Sequence, residues 1–436
     1  MVGGALKRAA SPSRPISPPP IKRKVDVTVT KTVSASFFTP ASQKKPEPIT
    51  WRIVDKSLIV GKFSPGLEEN LRKRGFEKPK VAAFDFDSTL VSTASGNKFA
   101  RGPGDWKWWN PSVPSKLQKL NADGYQVTII SNQKAVSLKT DKKGVESKSL
   151  INFKDRVSAV MKQLGIPLSV YAATEDNEYR KPRAGMWREF IDDYDFDVTG
   201  VDASESVFVG DAAGRPGDHS SVDRGFAVNA GIPFRTPEEF FLDAASEPIV
   251  ESFDPSLYLK TDSTEEASPP FSRNSPLELV IFCGSPAAGK STFYWNYLEP
   301  LDYERVNQDI LRSRLKCIKV AKEHLAAKKS VAVDNTNADL DTRAQWVDVA
   351  KEANVPIRCV YFSTPPELCK HNNAVRASNT SLNPETRELV PKIAFSDFLR
   401  RFEEPTLFEG FQDIIRVDFQ FRGDDAAKRI WKQYWI

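Results

Sequence analysis

The sequence predicts an α/β protein of two doubly wound parallel-sheet domains. Three observations carry that prediction. Two short apolar runs, VAAFDFDSTL at Val81–Leu90 and LELVIFC at Leu277–Cys283, each lead into polar residues able to do chemistry. After each run, further apolar stretches alternate with helical ones, as in parallel sheets covered by helices. Between the two sets, residues 246–276 turn to Ser, Pro, Glu and Asp and read as a linker.

The chain has 436 residues and 40% hydrophobic content, enough for two or three domains with real cores. No apolar run reaches the length of a membrane span, so no membrane partner is expected. The N-terminus lacks an apolar signal core, which argues against secretion. The cysteines Cys283, Cys317, Cys359 and Cys369 lack C-x-x-C spacing and read as reduced thiols in a cytosolic or nuclear compartment. The net charge is +5, but residues 1–50 hold nine Lys/Arg against two Asp/Glu, leaving the body slightly acidic. Nucleic-acid binding by the body must therefore come from local clusters.

Residues 1–48 read as a disordered, basic, Ser/Pro-rich tail. Within it Ile21-Lys22-Arg23-Lys24 fits a nuclear localisation signal, which makes the nucleus the expected site. The first domain is expected over 49–245. Trp51–Val60 reads as a strand pair, and Val81 opens the first buried strand. Asp85 and Asp87 would then stand at the carboxyl edge of a sheet, where open α/β folds place their chemistry. D-x-D-x-T alone is weak, turning up by chance in roughly one chain in ten of this length. The Gly- and Trp-rich segment Ser95–Asn110 reads as a flap. Its Trp106, Trp108 and Trp109 could stack bases but are taken mainly as packed core. A helix over Lys116–Asp123, a strand over Tyr125–Ile130 and an amphipathic helix over Leu150–Leu164 follow. Strands at Ser169–Ala173 and Ser206–Val209 complete the set.

The strand ends deliver Asp85, Asp87, Ser131, Lys181 and Asp211 in order. A strand-end aspartate such as Asp85 can attack phosphorus. Asp87 can protonate the leaving oxygen and then activate water. Ser131, with Asn132 and Arg180 in the same loops, can hold phosphoryl oxygens, and Lys181 can offset the charge. Asp85, Asp87 and Asp211 together could hold Mg²⁺. The set resembles the haloacid dehalogenase superfamily, which implies Asp85 as nucleophile and Asp87 as acid/base. The spacing leaves no room for a cap domain, so the site should admit a macromolecular phosphate ester.

The second domain is expected over 277–436, with strands at Leu277–Cys283, Val331–Val333, Val360–Phe362 and Ile414–Val417. Gly284, Ser285, Ala287, Ala288, Gly289, Lys290, Ser291 and Thr292 form a G-x-x-x-x-G-K-S-T loop between a strand and a probable helix. Chance occurrence is on the order of one per cent. Such a loop wraps ATP phosphates in backbone N–H groups; Lys290 would reach the β/γ oxygens and Ser291 the Mg²⁺. Asp309 could take a proton from an attacking hydroxyl. Arg312 and Asp334 are candidates for the acceptor strand, and Arg376 for a lid residue against ATP.

A phosphatase unit followed by a P-loop kinase unit resembles the eukaryotic polynucleotide kinase 3′-phosphatase family. The resemblance runs from about Trp51 to the C-terminus, through DFDSTL, YRKPRAGMW, VGDAAGRPGDHS, TPEEFF, GSPAAGKSTF, VDNTN, HNN and FEEPTLFEGF. It implies action on DNA with 3′-phosphate or 5′-hydroxyl ends, Mg²⁺ and ATP as cofactors, and a ligase or repair scaffold as partner. It also implies Asp309 as the kinase base. Two departures stand out. Animal members carry an N-terminal forkhead-associated domain, whereas only about 48 disordered-looking residues precede the fold here. Gln308 also stands where an arginine is common. A monomer is expected, and an RNA end remains an alternative substrate.

Overall fold

The structure is a computed structural model that describes residues 49–65, 78–249, 253–259, 271–379 and 388–436. The basic tail expected over 1–48 lies outside the described residues.

The first half contains β1 (Ile49–Val54), β2 (Leu58–Phe63), β3 (Val81–Phe84), β4 (Val91–Ser92), β5 (Lys107–Trp108), α1 (Val113–Ala122), β6 (Gln126–Asn132), α2 (Lys148–Leu164), β7 (Leu168–Ala173), α3 (Gly185–Asp193), α4 (Phe196–Thr199), β8 (Val207–Val209), α5 (Val222–Ala230), β9 (Phe234–Arg235) and α6 (Pro237–Leu242). Seven strands form one sheet in the order β1-β2-β7-β6-β3-β8-β9. From β7 to β9 the neighbours run parallel, as expected. The hairpin β1–β2 departs from that expectation, adding antiparallel to β7 and making the sheet mixed. An antiparallel pair needs only a tight turn, so Asp55 and Lys56, both at positive φ, suffice to join the two strands.

Burial explains the alternation of the opening strand. Ala82 and Phe84 face one apolar cluster with Val127, Ile129 and Val157, while Val81 and Ala83 face the other with Phe190, Phe208 and Phe226. Helices cover both faces because each strand is apolar on both. Helix α2 starts at Ser147, whose hydroxyl accepts from the Leu150 N–H, and stops at Gly165 in the left-handed region. The three tryptophans of the flap pack against the first cluster, with Trp109 6.0 Å from Phe241.

The second half contains β10 (Leu279–Cys283), α7 (Lys290–Phe293), β11 (Glu304–Val306), α8 (Gln308–Leu311), α9 (Arg314–Ala326), β12 (Val331–Val333), α10 (Leu340–Ala353), β13 (Ile357–Phe362), α11 (Pro366–Ser378), α12 (Lys392–Arg401), β14 (Ile414–Val417) and α13 (Asp425–Trp431). Its sheet is parallel throughout, in the order β11-β12-β10-β13-β14. All four cysteines are buried. No helix among the described residues is long and apolar enough to cross a membrane.

Two parts of the expected linker pack onto the second half. Phe271 is buried against Phe293 and Tyr303, and Phe253 lies 5.2 Å from the His371 ring. In both sheets the strand that opens the parallel set lies centrally. In the first sheet the chain moves outward through β6 and β7 and then crosses to β8 and β9; in the second it runs to the edge strand β11, returns to β12 beside β10, and then crosses to β13 and β14. The crevice beside β3 and the crevice beside β10 are thus switch points, and both clusters of polar residues lie there.

Candidate active sites

At the end of β3 the Asp85 N–H donates to the Val209 carbonyl at 2.8 Å, fixing the strand end against β8. The chain then turns tightly through Ser88 at φ +60°. Lys181 is buried between two carboxylates, with Nζ 2.7 Å from Asp85 Oδ1 and 2.7 Å from Asp223 Oδ1. Burial alone would discharge this lysine, but the two acids raise its pKa and hold it charged. Asp223 also accepts from the Ala212 N–H at 3.0 Å. Asp85, Asp211 and Asp223 bring carboxylate oxygens within 4.8 Å of one another. Burial and the charges of Asp85 and Asp223 push the Asp211 carboxyl up to about 8. Three acids against one lysine leave an excess of negative charge, and the oxygen donor set fits a divalent cation.

Asp87 faces a different environment. Its carboxylate accepts from Gln133 Nε2 at 2.7 Å and pairs with Arg156 at 3.0 Å. Burial raises its pKa, Arg156 opposes that rise, and the Asp85 charge adds to it. The net upward direction suits a group that must carry a proton to a leaving oxygen. Gln133 also donates to the buried Ser131 hydroxyl at 3.0 Å, tying the second strand end to the first.

Gly210 permits this packing. A Cβ there would lie 2.4 Å from Asp223 Oδ2 and 2.7 Å from its Cβ. Gly210→Ala is therefore expected to displace Asp223, and with it Lys181. Overpacking of this kind should lower phosphatase turnover roughly tenfold to a hundredfold. Assaying both activities of the variant checks this, since kinase activity should survive.

In the second half the P-loop curls through Ala287 at φ +59° and Gly289 at φ +100°. Gly284 sits so close to β13 that a Cβ would be 2.8 Å from Phe362 Cβ. Lys290 Nζ donates to the Gly284 and Ser285 carbonyls at 3.0 and 2.6 Å, and burial lowers its pKa. The Ser291 hydroxyl donates to Asp334 Oδ2 at 2.8 Å. A cavity of about 970 Å³ opens over this loop. Asp309, Asp334 and Arg376 line it, with Val375, Phe419 and Phe421 also in its wall. Asn307 caps α8 by accepting from the Asp309 N–H at 2.8 Å, which fixes where Asp309 stands.

Known proteins resemble both halves of the chain. Residues 80–241 match a family model described as polynucleotide kinase 3 phosphatase, and residues 279–405 match one described as an AAA domain. A bifunctional polynucleotide phosphatase/kinase of Schizosaccharomyces pombe is 40% identical over 373 residues, covering 85% of each chain. The chain belongs to the bifunctional polynucleotide phosphatase/kinase family. A relative from Acanthamoeba polyphaga mimivirus is 31% identical over 383 residues, 81% of this chain and 88% of that one. The first half alone is 34% identical over 182 residues to the polynucleotide 3′-phosphatase ZDP of Arabidopsis thaliana, 25% of whose length is covered.

Within this phosphatase/kinase, several residues stand elsewhere than the sequence reading put them. The Asp87 carboxylate lies outside the acidic cluster, because Arg156 and Gln133 take it; Asp223 occupies the third position instead. Asn132 grips the Lys181 backbone from both sides, at 2.9 and 3.2 Å, and so positions the lysine. The Arg180 guanidinium lies near Asp176 and Arg183, and burial lowers its pKa. Asp334, a candidate for the acceptor strand, is buried and accepts from Ser291, from Arg305 Nε at 2.9 Å and from Asn307, which ties it to the P-loop. Arg312 ends α8 in the left-handed region and is not among the residues lining the cavity. Sequence reasoning missed Asp223, Arg156 and Gln133. The signal for Asp223 was an acid on the helix that follows the Gly210-Asp211 loop.

Proposed function

We propose that this protein removes phosphate from 3′ ends of broken DNA and phosphorylates 5′-hydroxyl ends with ATP, in the nucleus, leaving ends that a ligase can join. The observation that carries the reading is the pair of phosphoryl-transfer sites in one chain. Lys181 bridges Asp85 and Asp223 at one, and Lys290 with Ser291 and Asp334 is set in a P-loop at the other.

In the phosphatase, an Asp85 oxygen attacks phosphorus and the sugar 3′-oxygen leaves with a proton from Asp87. Asp87, now ionised and paired with Arg156, takes a proton from water, which attacks the aspartyl-phosphate and restores Asp85. Lys181 offsets charge on Asp85 throughout. Asp85 and Asp211, with Asp223 beside them, would hold Mg²⁺, which neutralises phosphoryl oxygens when bound. In the kinase, Asp309 takes the proton of the 5′-hydroxyl as its oxygen attacks the γ-phosphorus, and ADP leaves. Lys290 and Arg376 stabilise the charge that develops.

The test is a nicked duplex bearing 3′-phosphate and 5′-hydroxyl, incubated with ATP and Mg²⁺ while both ends are followed. Loss of the first and phosphorylation of the second are expected, faster than on a matched RNA duplex. Conversion of neither end, or equal rates on RNA, would sink the DNA reading.

A further inference from the structure

Strands β11 and β12 are parallel neighbours, with Val306 paired to Val333. Their last shared backbone bond runs from the Asp334 N–H to the Val306 carbonyl at 2.9 Å. Beyond it the two chains part, and two side-chain amides continue the ladder. Asn307 Nδ2 donates to the Asp334 carbonyl at 2.8 Å. One residue further, the Gln308 N–H donates to Asn335 Oδ1, also at 2.8 Å. Each amide takes a backbone group that the end of the sheet leaves without a strand partner. The Asn335 side chain also bonds the thiol of Cys317, on α9, so it spans from α9 to the start of α8.

The loop after β12 is fastened to the P-loop on both sides of Asn335. Before it, Asp334 accepts from the Ser291 hydroxyl at 2.8 Å. After it, the Thr336 carbonyl accepts from the Gly284 N–H at 3.0 Å. Asn337 then donates to the Phe282 carbonyl at 2.7 Å and accepts from Trp346 at 3.1 Å, which anchors the loop in the core. Two residues that hold the P-loop thus flank one that holds α8. Helix α8 has four residues, none of them buried, and of these Leu311 packs partly against the core. So short and exposed a turn is placed mainly by the polar bonds at its N-terminus. Gln308 and Asp309 are exposed and line the cavity over the P-loop.

We infer that Asn335 is a positioning residue of the kinase, setting the distance between the P-loop and the Asp309 carboxylate. It acts through the Gln308 N–H on the residue next along, and it rests on the reading of Asp309 as the base. A base must meet the hydroxyl proton at hydrogen-bond distance while that oxygen lines up on the γ-phosphorus, and a shift of about 1 Å costs about a hundredfold in rate. Asn307 caps the turn from within its own loop. Asn335 holds it from the P-loop side, so the base and the phosphates are referred to one frame.

The test is a double-mutant cycle in the full chain, with Asn335→Ala and Asp309→Ala alone and together. The rate read is single-turnover 5′-phosphorylation of an oligonucleotide at saturating ATP and Mg²⁺. ATP binding and 3′-phosphate release report that both halves are folded. Asn335→Ala is expected to lower the rate about tenfold to a hundredfold, with the KM for ATP within about twofold of wild type. Asp309→Ala should lower it by about a hundredfold or more. The double variant should fall within about threefold of Asp309→Ala, because nothing is left to position. A residue that only stabilised the fold would instead multiply the two losses. Multiplied losses, an ATP KM raised in step with the lost rate, or a wild-type rate for Asn335→Ala would overturn the inference. A wild-type rate for Asp309→Ala would remove the base reading and the inference with it, whereas the other outcomes leave that reading standing. Should Asn335→Ala fail to bind ATP, Asn335→Ser, which keeps a hydroxyl acceptor, takes its place in the same cycle.

Discussion

Asp85→Asn is expected to abolish 3′-phosphate release, by at least about a thousandfold, while 5′-phosphorylation stays within about twofold of wild type. The amide keeps the shape of the side chain, so the strand end held by Val209 should survive. It lacks the charge that makes Asp85 a nucleophile, and it leaves Lys181 paired with Asp223 alone. Removing one partner of a buried ion pair usually costs stability. A second carboxylate on the same lysine limits that cost, so the variant should fold. Parallel assays on 3′-phosphate and 5′-hydroxyl oligonucleotides decide the matter. Loss of both activities from a folded protein would mean that the two sites are not separate.

Lys290→Ala is expected to give the opposite pattern, with kinase turnover down about a hundredfold or more and phosphatase unchanged. Its ammonium bonds two carbonyls of its own loop, so its removal costs both the charge that meets the phosphates and a brace of the loop. Arginine should not substitute. The site is buried and shaped around a compact ammonium, and a planar fork cannot reach the same two carbonyls without moving the loop. Turnover under saturating acceptor, compared across the wild type, Lys290→Ala and Lys290→Arg, checks this.

Most of the architecture was legible in the sequence, because buried parallel strands must be apolar on both faces and therefore stand out. Leu279–Cys283 and Val331–Val333 are of this kind. The antiparallel hairpin at the sheet edge was harder, since Trp51–Val60 shows a strand pair but not the neighbour it joins. Site residues that arrive as motifs, such as Asp85, Lys181 and the P-loop, could be read because their spacing along the chain is itself the chemistry. Partners made by tertiary contact could not. Arg156 lies in the middle of an amphipathic helix, where an arginine ordinarily marks the solvent face, and only the fold turns it onto Asp87. Asp334 had the reverse problem. Its strand-end position was evident, but not that Ser291, Arg305 and Asn307 would converge on it and pull it into the nucleotide site.

The segment that follows β14 belongs to the kinase by sequence and to both halves by contact. Trp431 Nε1 donates to Asn372 at 2.9 Å, and Asn372 in turn donates to the P-loop carbonyl of Ala287 at 3.3 Å. A few residues on, the Trp435 carbonyl accepts from Arg183 at 3.3 Å, and the Tyr434 backbone carbonyl and N–H bond the Asn229 side-chain amide, at 2.7 and 2.9 Å. Arg183 is two positions from Lys181, so the scaffold of the phosphatase is completed by residues roughly 200 positions downstream of its last motif. In genetic terms, a stop codon that removes Trp431–Trp435 is not a kinase lesion alone. It uncovers Arg183 and Asn229 as well, and an allele of that kind would lose both ends of the repair reaction together.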